Sequence, residues 1–129
     1  MEIKIPVSIG ELVDKISILE IKLRSISNNK KLKNIKKEYD SLNYFYIKIF
    51  NQNKNIEKYL KQIRDVNLII WNLQEISKKK IEKKIFDDEY IEITTKIHNN
   101  NDLRFEIKSK INKEFKSNYF EEKSYRKYD

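Results

Sequence analysis

The sequence has no cysteine, and among its 129 residues it has only one histidine, one glycine and one proline. Without cysteine there is no disulfide, no thiolate nucleophile and no cysteine zinc site, and His98 alone cannot form a histidine cluster. One glycine is too few for the glycine-rich turn of a phosphate loop. A Glu-x-x-His motif, which binds metal pairs in helical bundles, is also missing. We therefore expect neither a metal nor a cofactor.

Long hydrophobic runs are absent as well. No segment approaches the 18 or more apolar residues that a membrane span needs. The opening MEIKIPVSIGEL has an acidic second residue and no long apolar stretch. We therefore expect a cytoplasmic protein without a membrane segment. A chain of 129 residues fits one domain.

The chain is basic, with a formal net charge of +8. A basic surface favours nucleic-acid binding. However, lysine, isoleucine and asparagine are abundant and alanine is absent, a bias that AT-rich coding produces, so nucleic-acid binding ranks only third among our hypotheses. The same bias makes arginine informative, because its planar guanidinium binds carboxylates and phosphates bidentately where lysine would be the easier codon. The arginines are Arg24, Arg64, Arg104 and Arg126.

The beginning of the chain predicts an extended arm followed by a helix. Pro6 prevents a helix from starting earlier, which leaves the first eight residues as the arm. Ser8 and Glu11 have the spacing of a capping box, and apolar residues recur at helical spacing after them. We predict the first helix over residues 9–26.

Three further helices follow from the same periodicity. The second falls within residues 32–49 and the third within residues 56–81. The fourth is predicted over residues 90–115. The segment HNNND at 98–102 offers a break as an alternative, but the apolar spacing keeps its phase across these residues.

Four helices with short polar connections predict an all-α fold, an antiparallel four-helix bundle with a short extended N-terminal arm. The bundle spans residues 9–116, with Asp87 or Asp88 as the cap of the fourth helix. A tail of mixed aromatic and charged residues follows at 117–129. The whole chain, 1–129, is thus predicted to be a single helical domain, and whether it forms a homodimer is left open.

Two of the predicted helices carry a polar row beside the apolar one. The rows are Arg64, Asn67, Trp71 and Glu75 in the third helix, and Asn101, Arg104, Lys108 and Asn112 in the fourth. If they face each other, their basic groups and amides form a pocket for an anionic group. The first helix adds Asp14, Glu20 and Lys22. The alternative is that both rows are solvated sides of amphipathic helices.

The leading hypothesis is a non-catalytic module that binds an anionic small molecule or a protein partner. Its predicted ligand-binding residues are Arg104, Lys108, Asn101, Asn67, Trp71, Lys22 and Asp14. Trp71 has a second interpretation as an ordinary core side chain. The runner-up is a small enzyme acting on a carboxylate or a phosphorylated sugar, with Glu20 or Glu75 as its acid or base. That hypothesis requires one of these glutamates to face Arg104.

Four motifs occur in order along nearly the whole chain. They are GELVDKISILEIKLRSI at 10–26, VNLIIWNLQEI at 66–76, NDLRFEIKSKIN at 101–112 and EEKSY at 121–125. Together they resemble an uncharacterised family of small bacterial proteins, domain-of-unknown-function family 6165. The resemblance implies no established activity. It suggests a link to cell-surface sugar metabolism, because members look like companions of glycosyltransferase or tetratricopeptide-repeat proteins.

Overall fold

The structure is a computed structural model that describes residues 1–124 of the chain. It contains the four predicted helices, each close to its predicted bounds, and the first eight residues have no regular secondary structure. The part of the predicted tail at 125–129 lies outside the described residues. The helices are α1 (Ile9–Ser25), α2 (Asn29–Gln52), α3 (Ile56–Glu82) and α4 (Asp88–Glu114).

Ser8 and Asp87 are the N-caps of α1 and α4, as predicted, but the Glu11 carboxylate of the predicted capping box pairs with Lys108. The Ser8 Oγ accepts a hydrogen bond from the Glu11 backbone N–H at 3.0 Å. Asp87 caps α4, because its Oδ1 accepts from the Tyr90 N–H at 2.9 Å, and Asp88 is the first helical residue. Each cap satisfies one of the N–H groups that the first turn of a helix leaves without a partner.

The asparagine-rich segment at 98–102 does not interrupt α4, which is helical throughout Asp88–Glu114. Asn100 shows how the helix tolerates it, since its side-chain amide donates to the Lys96 carbonyl one turn earlier at 2.8 Å. The polar row of α4 therefore keeps one continuous helical phase.

The helices form two antiparallel pairs, α1 with α2 and α3 with α4. In the first pair, the Lys15 ammonium group of α1 lies 3.1 Å from the Glu38 carboxylate of α2. In the second pair, the Tyr59 ring of α3 packs edge-on against Phe115, which follows α4, with centroids 6.2 Å apart. Among the described elements α1 and α3 each pack against all three other helices, whereas α2 and α4 do not contact each other, and the fold is an all-α helical bundle.

The apolar core lies where α1 crosses the other helices. It is formed by Leu12, Val13, Ile16, Tyr46, Ile56, Tyr59, Leu60, Ile63, Val66, Ile70, Ile107 and Ile111. Buried polar side chains lie in the same region, on α1, α3, α4 and the two segments that flank the bundle. They are Ser8, Asp14, Ser17, Asn67, Lys108, Asn112 and Ser117. Buried polar groups are costly unless they are paired, so these side chains need partners.

Candidate functional site

Asp14 is the centre of the buried polar cluster. Its side chain is fully buried on α1 and accepts two hydrogen bonds from the Arg104 guanidinium of α4: Nε contacts Oδ1 at 2.8 Å and Nη2 contacts Oδ2. Two parallel hydrogen bonds of this kind fix the orientation of a guanidinium. The hydrogen bonds to Asp14 raise the pKa of Arg104 above its ordinary value, although partial burial acts in the opposite direction.

Asn67 connects α3 to the same carboxylate. Its Nδ2 donates to Asp14 Oδ1 at 2.8 Å and to the Ser17 Oγ at 2.7 Å. The Ser17 hydroxyl in turn donates to the Asp14 carbonyl at 2.7 Å. Each group in this hydrogen-bond network has a partner. No buried side-chain nitrogen or oxygen of residues 1–124 is left unpaired.

Lys108 is the second cation of the cluster, one turn beyond Arg104 on α4. Its ammonium group lies 2.8 Å from the carboxylates of Glu11 and Glu121 and 3.8 Å from that of Asp14. Only 7% of the Lys108 side chain is exposed. Burial by itself lowers the pKa of an ammonium group, but the hydrogen bonds to Glu11 and Glu121 outweigh it and raise the pKa of Lys108.

The first turn of α1 lies directly against α4. The Gly10 N–H donates to the Asn112 Oδ1 at 2.7 Å, and the Ile9 N–H donates to the Ser117 Oγ at 3.1 Å. A Cβ atom at Gly10 would lie only 2.7 Å from the Lys108 carbonyl oxygen. The sole glycine of the chain therefore allows the two backbones to approach closely enough for these bonds.

An open cavity of about 390 Å³ lies in front of this cluster. Its wall combines three cationic side chains, two carboxylates, an imidazole, an amide and one aromatic ring. The lining residues are Glu11, His98, Asn101, Arg104, Phe105, Lys108, Glu121 and Lys123. Arg104 thus has a double position, because Asp14 takes two of its five N–H donors while the side chain also forms part of the wall.

The structure brings most of the predicted ligand-binding residues together. Arg104, Lys108 and Asn101 line the cavity, and Asp14 and Asn67 lie behind Arg104. The polar rows of α3 and α4 therefore face α1 in the interior along this part of their length, and the solvated alternative does not describe them here.

The other predicted residues lie elsewhere. Trp71 and Lys22 are half-buried and are not part of this cavity wall, and Glu75 is exposed. Glu20 pairs with Arg64, whose Nε donates to the Glu20 Oε2 at 2.6 Å. Neither glutamate of the enzyme hypothesis therefore faces Arg104.

Sequence reasoning missed the carboxylates that approach Lys108. The spacing assigns Glu11 to a capping box with Ser8, and Glu121 belongs to the tail, for which the periodicity predicts no position. His98 is exposed and lies on the cavity wall. Two sequence features could have identified these carboxylates: the EEKSY motif, which contains Glu121, and the position of Glu11 one turn before Asp14 on the first helix.

A second, larger cavity of about 720 Å³ lies beside the Glu20 and Arg64 pair, between α1, α2 and α3. It shares no residue with the wall described above. Neither cavity contains a grouping of metal ligands, since residues 1–124 hold no cluster of three or more histidine or acidic side chains suited to a metal ion. None of the helices in that range has the length and apolar character that crossing a bilayer requires.

The family model described as "Family of unknown function (DUF6165)" matches residues 3–128, almost the whole chain. The chain belongs to the DUF6165 family. The match includes most of the N-terminal arm, the four helices and the tail segment that carries Glu121, so the family pattern covers every element of the candidate site. No curated protein and no solved structure matches the chain.

Proposed function

We propose that this DUF6165 protein is a helical binding or partner-interaction module that receives an anionic group in the cavity beside Arg104. The observation that carries the proposal is the double position of Arg104, which is held by Asp14 and also lines an open cavity. A cation whose orientation is already fixed loses little conformational freedom when it binds a ligand. Lys108 and Lys123 add two further cations to the same wall, and Asn101 adds an amide.

The charges of the wall favour an anion of low charge. Its three cations are Arg104, Lys108 and Lys123, and its two carboxylates are Glu11 and Glu121. Asp14 lies directly behind Arg104, and Asp102 lies 3.9 Å from Lys123, so each cation of the wall already has a carboxylate partner. A ligand with one singly charged group, such as a carboxylate, therefore suits the site better than a polyanion, which these carboxylates would repel.

Both proposed ligand classes, an anionic small molecule and an acidic group of a partner protein, offer this chemistry. The link to cell-surface sugar metabolism that the family resemblance suggests makes sugar phosphates and nucleotide sugars suitable small-molecule probes. The cytoplasmic location expected from the N-terminal sequence stays a prediction. We do not extend the proposal to an enzyme, because that hypothesis required Glu20 or Glu75 at Arg104.

Thermal unfolding of the full chain in the presence of sugar phosphates, nucleotide sugars and dicarboxylates tests the proposal. A ligand that binds only the native state at 100 times its Kd stabilises the fold by about 2.7 kcal/mol, which raises Tm by several degrees. Arg104→Lys keeps the charge opposite Asp14 but loses the bidentate fork, so we expect it to weaken the shift.

Arg64→Lys is the matched control, because Arg64 also pairs with one carboxylate and has nearly the same exposure, 29% against 28%. It should leave the ligand-induced shift unchanged. Arg104→Met is less suitable, because it leaves the buried Asp14 charge without its main partner and destabilises the fold itself. Equal shifts in both lysine variants would place the bound anion elsewhere, and steeply salt-dependent binding that survives Arg104→Lys would favour nucleic acid instead.

A further inference from the structure

The segment after α4 returns to the candidate site. Its course begins with Lys116, whose φ of 53° is in the left-handed region and reverses the chain. The Ser117 N–H then donates to the Asn112 carbonyl at 2.9 Å, and the Ser117 Oγ accepts from the Ile9 N–H. These contacts hold the start of the tail against the first turn of α1, next to the cavity.

Two side chains further along the tail form part of the cavity wall. The Glu121 Oε2 lies 2.8 Å from the Lys108 ammonium group. Two residues later, the Lys123 ammonium group lies 5.1 Å from the centre of the Phe105 ring and 3.9 Å from the Asp102 carboxylate. The tail therefore supplies a carboxylate to a cation of α4 and a cation to an aromatic ring of α4.

The contact between Glu121 and Lys108 is asymmetric in burial. The Glu121 side chain is 41% exposed, whereas that of Lys108 is 7% exposed. Leaving the contact costs Glu121 little, because water can solvate it. The more buried Lys108 then keeps Glu11 at 2.8 Å and Asp14 at 3.8 Å but loses one of its two close carboxylate partners. Tyr119 and Phe120 are each 51% exposed. Little apolar burial therefore holds this part of the tail, and its polar contacts dominate.

We propose that the surface of α1 and α4 around Lys108 and Phe105 is a docking site for a glutamate-containing peptide segment of a partner protein, and that residues 117–124 are its internal occupant. This inference rests on the proposed function and specifies its ligand. In the free chain the Glu121 carboxylate takes the position of the ligand carboxylate at Lys108. A partner segment with a glutamate at that position displaces the tail, which makes the tail a competitive inhibitor of binding.

The charges near Lys108 favour a carboxylate over a phosphate in this position. Glu11 and Asp14 already approach the ammonium group, at 2.8 and 3.8 Å. A single carboxylate repeats the charge that Glu121 contributes now, whereas a dianionic phosphate adds a further negative charge beside two others. The chemistry of the tail also specifies a lysine or arginine two residues after the glutamate, to contact Phe105.

Fluorescence anisotropy with a labelled peptide of the tail sequence FKSNYFEEKS, residues 115–124, tests the proposal on the full chain. The key variant is Glu121→Gln, which removes the internal carboxylate without altering the bundle. We expect this variant to bind the peptide about tenfold more tightly than the unaltered chain, because a hydrogen bond between charged groups is lost only from the competitor. Glu122→Gln, a change at the neighbouring exposed glutamate, is the matched control and should bind like the unaltered chain.

A variant peptide provides a further control. A second peptide with glutamine in place of its first glutamate, the one that corresponds to Glu121, should lose most of its affinity for the Glu121→Gln chain. Equal binding of both peptides, equal affinity of the three chains, or no binding to any of them would overturn the proposal.

Hydrogen exchange provides an independent measurement on the tail itself. We expect Glu121→Gln to speed amide exchange in residues 117–124 severalfold, and Glu122→Gln to have no effect. Unchanged exchange would show that Glu121 does not hold the tail. If the unaltered chain dimerises with increasing concentration by exchanging tails, each site is occupied by the tail of a second copy. That result would overturn the internal tail as the occupant.

The two proposals fail in different ways. In one case, small anions raise Tm, the increase is weaker in Arg104→Lys, and Glu121→Gln has no effect on peptide binding. This result would support the anion site and overturn the tail as its occupant. Peptide binding that is tightened by Glu121→Gln but does not change in Arg104→Lys would support the docking site at Lys108 and overturn the role proposed for Arg104.

Discussion

Asp14 of α1 and Arg104 of α4 are 90 positions apart in the sequence, yet they form a bidentate ion pair in which the carboxylate is completely buried. The pair connects the first helix to the last one, and Asn67 connects α3 to the same carboxylate. A buried carboxylate is tolerated only when its partners are fixed, so this cluster makes the packing of three helices interdependent.

Asp14→Ala should therefore be strongly destabilising. It leaves the Arg104 guanidinium and the Asn67 amide without their shared acceptor, and removal of one partner of a buried pair costs about 3 kcal/mol or more. Glu20→Ala, which removes the partner of Arg64 from a more exposed pair, should cost about 1 kcal/mol. Urea unfolding of the two variants measures the difference. Equal costs would contradict the central role of Asp14.

Gly10→Ala should destabilise the chain, although alanine is ordinarily the better helix former by about 0.5–1 kcal/mol. The added methyl group would lie 2.7 Å from the Lys108 carbonyl oxygen and 2.9 Å from the Asn112 Oδ1. One of these atoms is backbone, so α1 and α4 have to separate, at a cost of about 1–3 kcal/mol. Denaturant unfolding measures the change, and a stabilised variant would show that the helices do not approach this closely.

Asn112→Ala should cost about 1–3 kcal/mol, because it leaves the buried Gly10 N–H without an acceptor. Asn99→Ala is the matched control on the same helix, since Asn99 is exposed. The control should be neutral or slightly stabilising because of the higher helix propensity of alanine. Thermal unfolding of both variants tests whether the amide of Asn112 acts as a cap for α1, and similar Tm values for the two would contradict it.

The contribution of Lys108 to stability should disappear at alkaline pH. The native pKa of Lys108 is raised above the ordinary value of 10.5 by Glu11 and Glu121. Such a group stabilises the fold fully below its unfolded-state pKa, and the stabilisation is lost as the pH rises through the native pKa. The difference in free energy of unfolding between the unaltered chain and Lys108→Met should therefore be constant from pH 7 to about 10 and shrink above it. A difference that grows with pH would contradict the raised pKa.

The local sequence by itself determined the helices of this protein. Periodic apolar residues, Pro6, the Ser8 cap and the Asp87 cap are signals over a few residues, and each helix lies close to where they predicted it. The continuity of α4 through its asparagines also followed from sequence, because the apolar phase on both sides is a property of the helix alone. The rows that contain Asn67 and Arg104 were identified for the same reason.

Only the tertiary structure decided what those rows contact. Helical spacing places Arg104 and Lys108 on one face but does not specify the face opposite, so the carboxylates of Asp14, Glu11 and Glu121 were not assigned as their partners. It also left Trp71, Glu20 and Glu75 grouped with Arg104, whereas the crossing of α1 directs Glu20 to Arg64 and the wall beside Arg104 excludes Trp71 and Glu75. Pairings of this kind depend on how separate helices cross, and that is set by the packing of the whole core rather than by any local pattern.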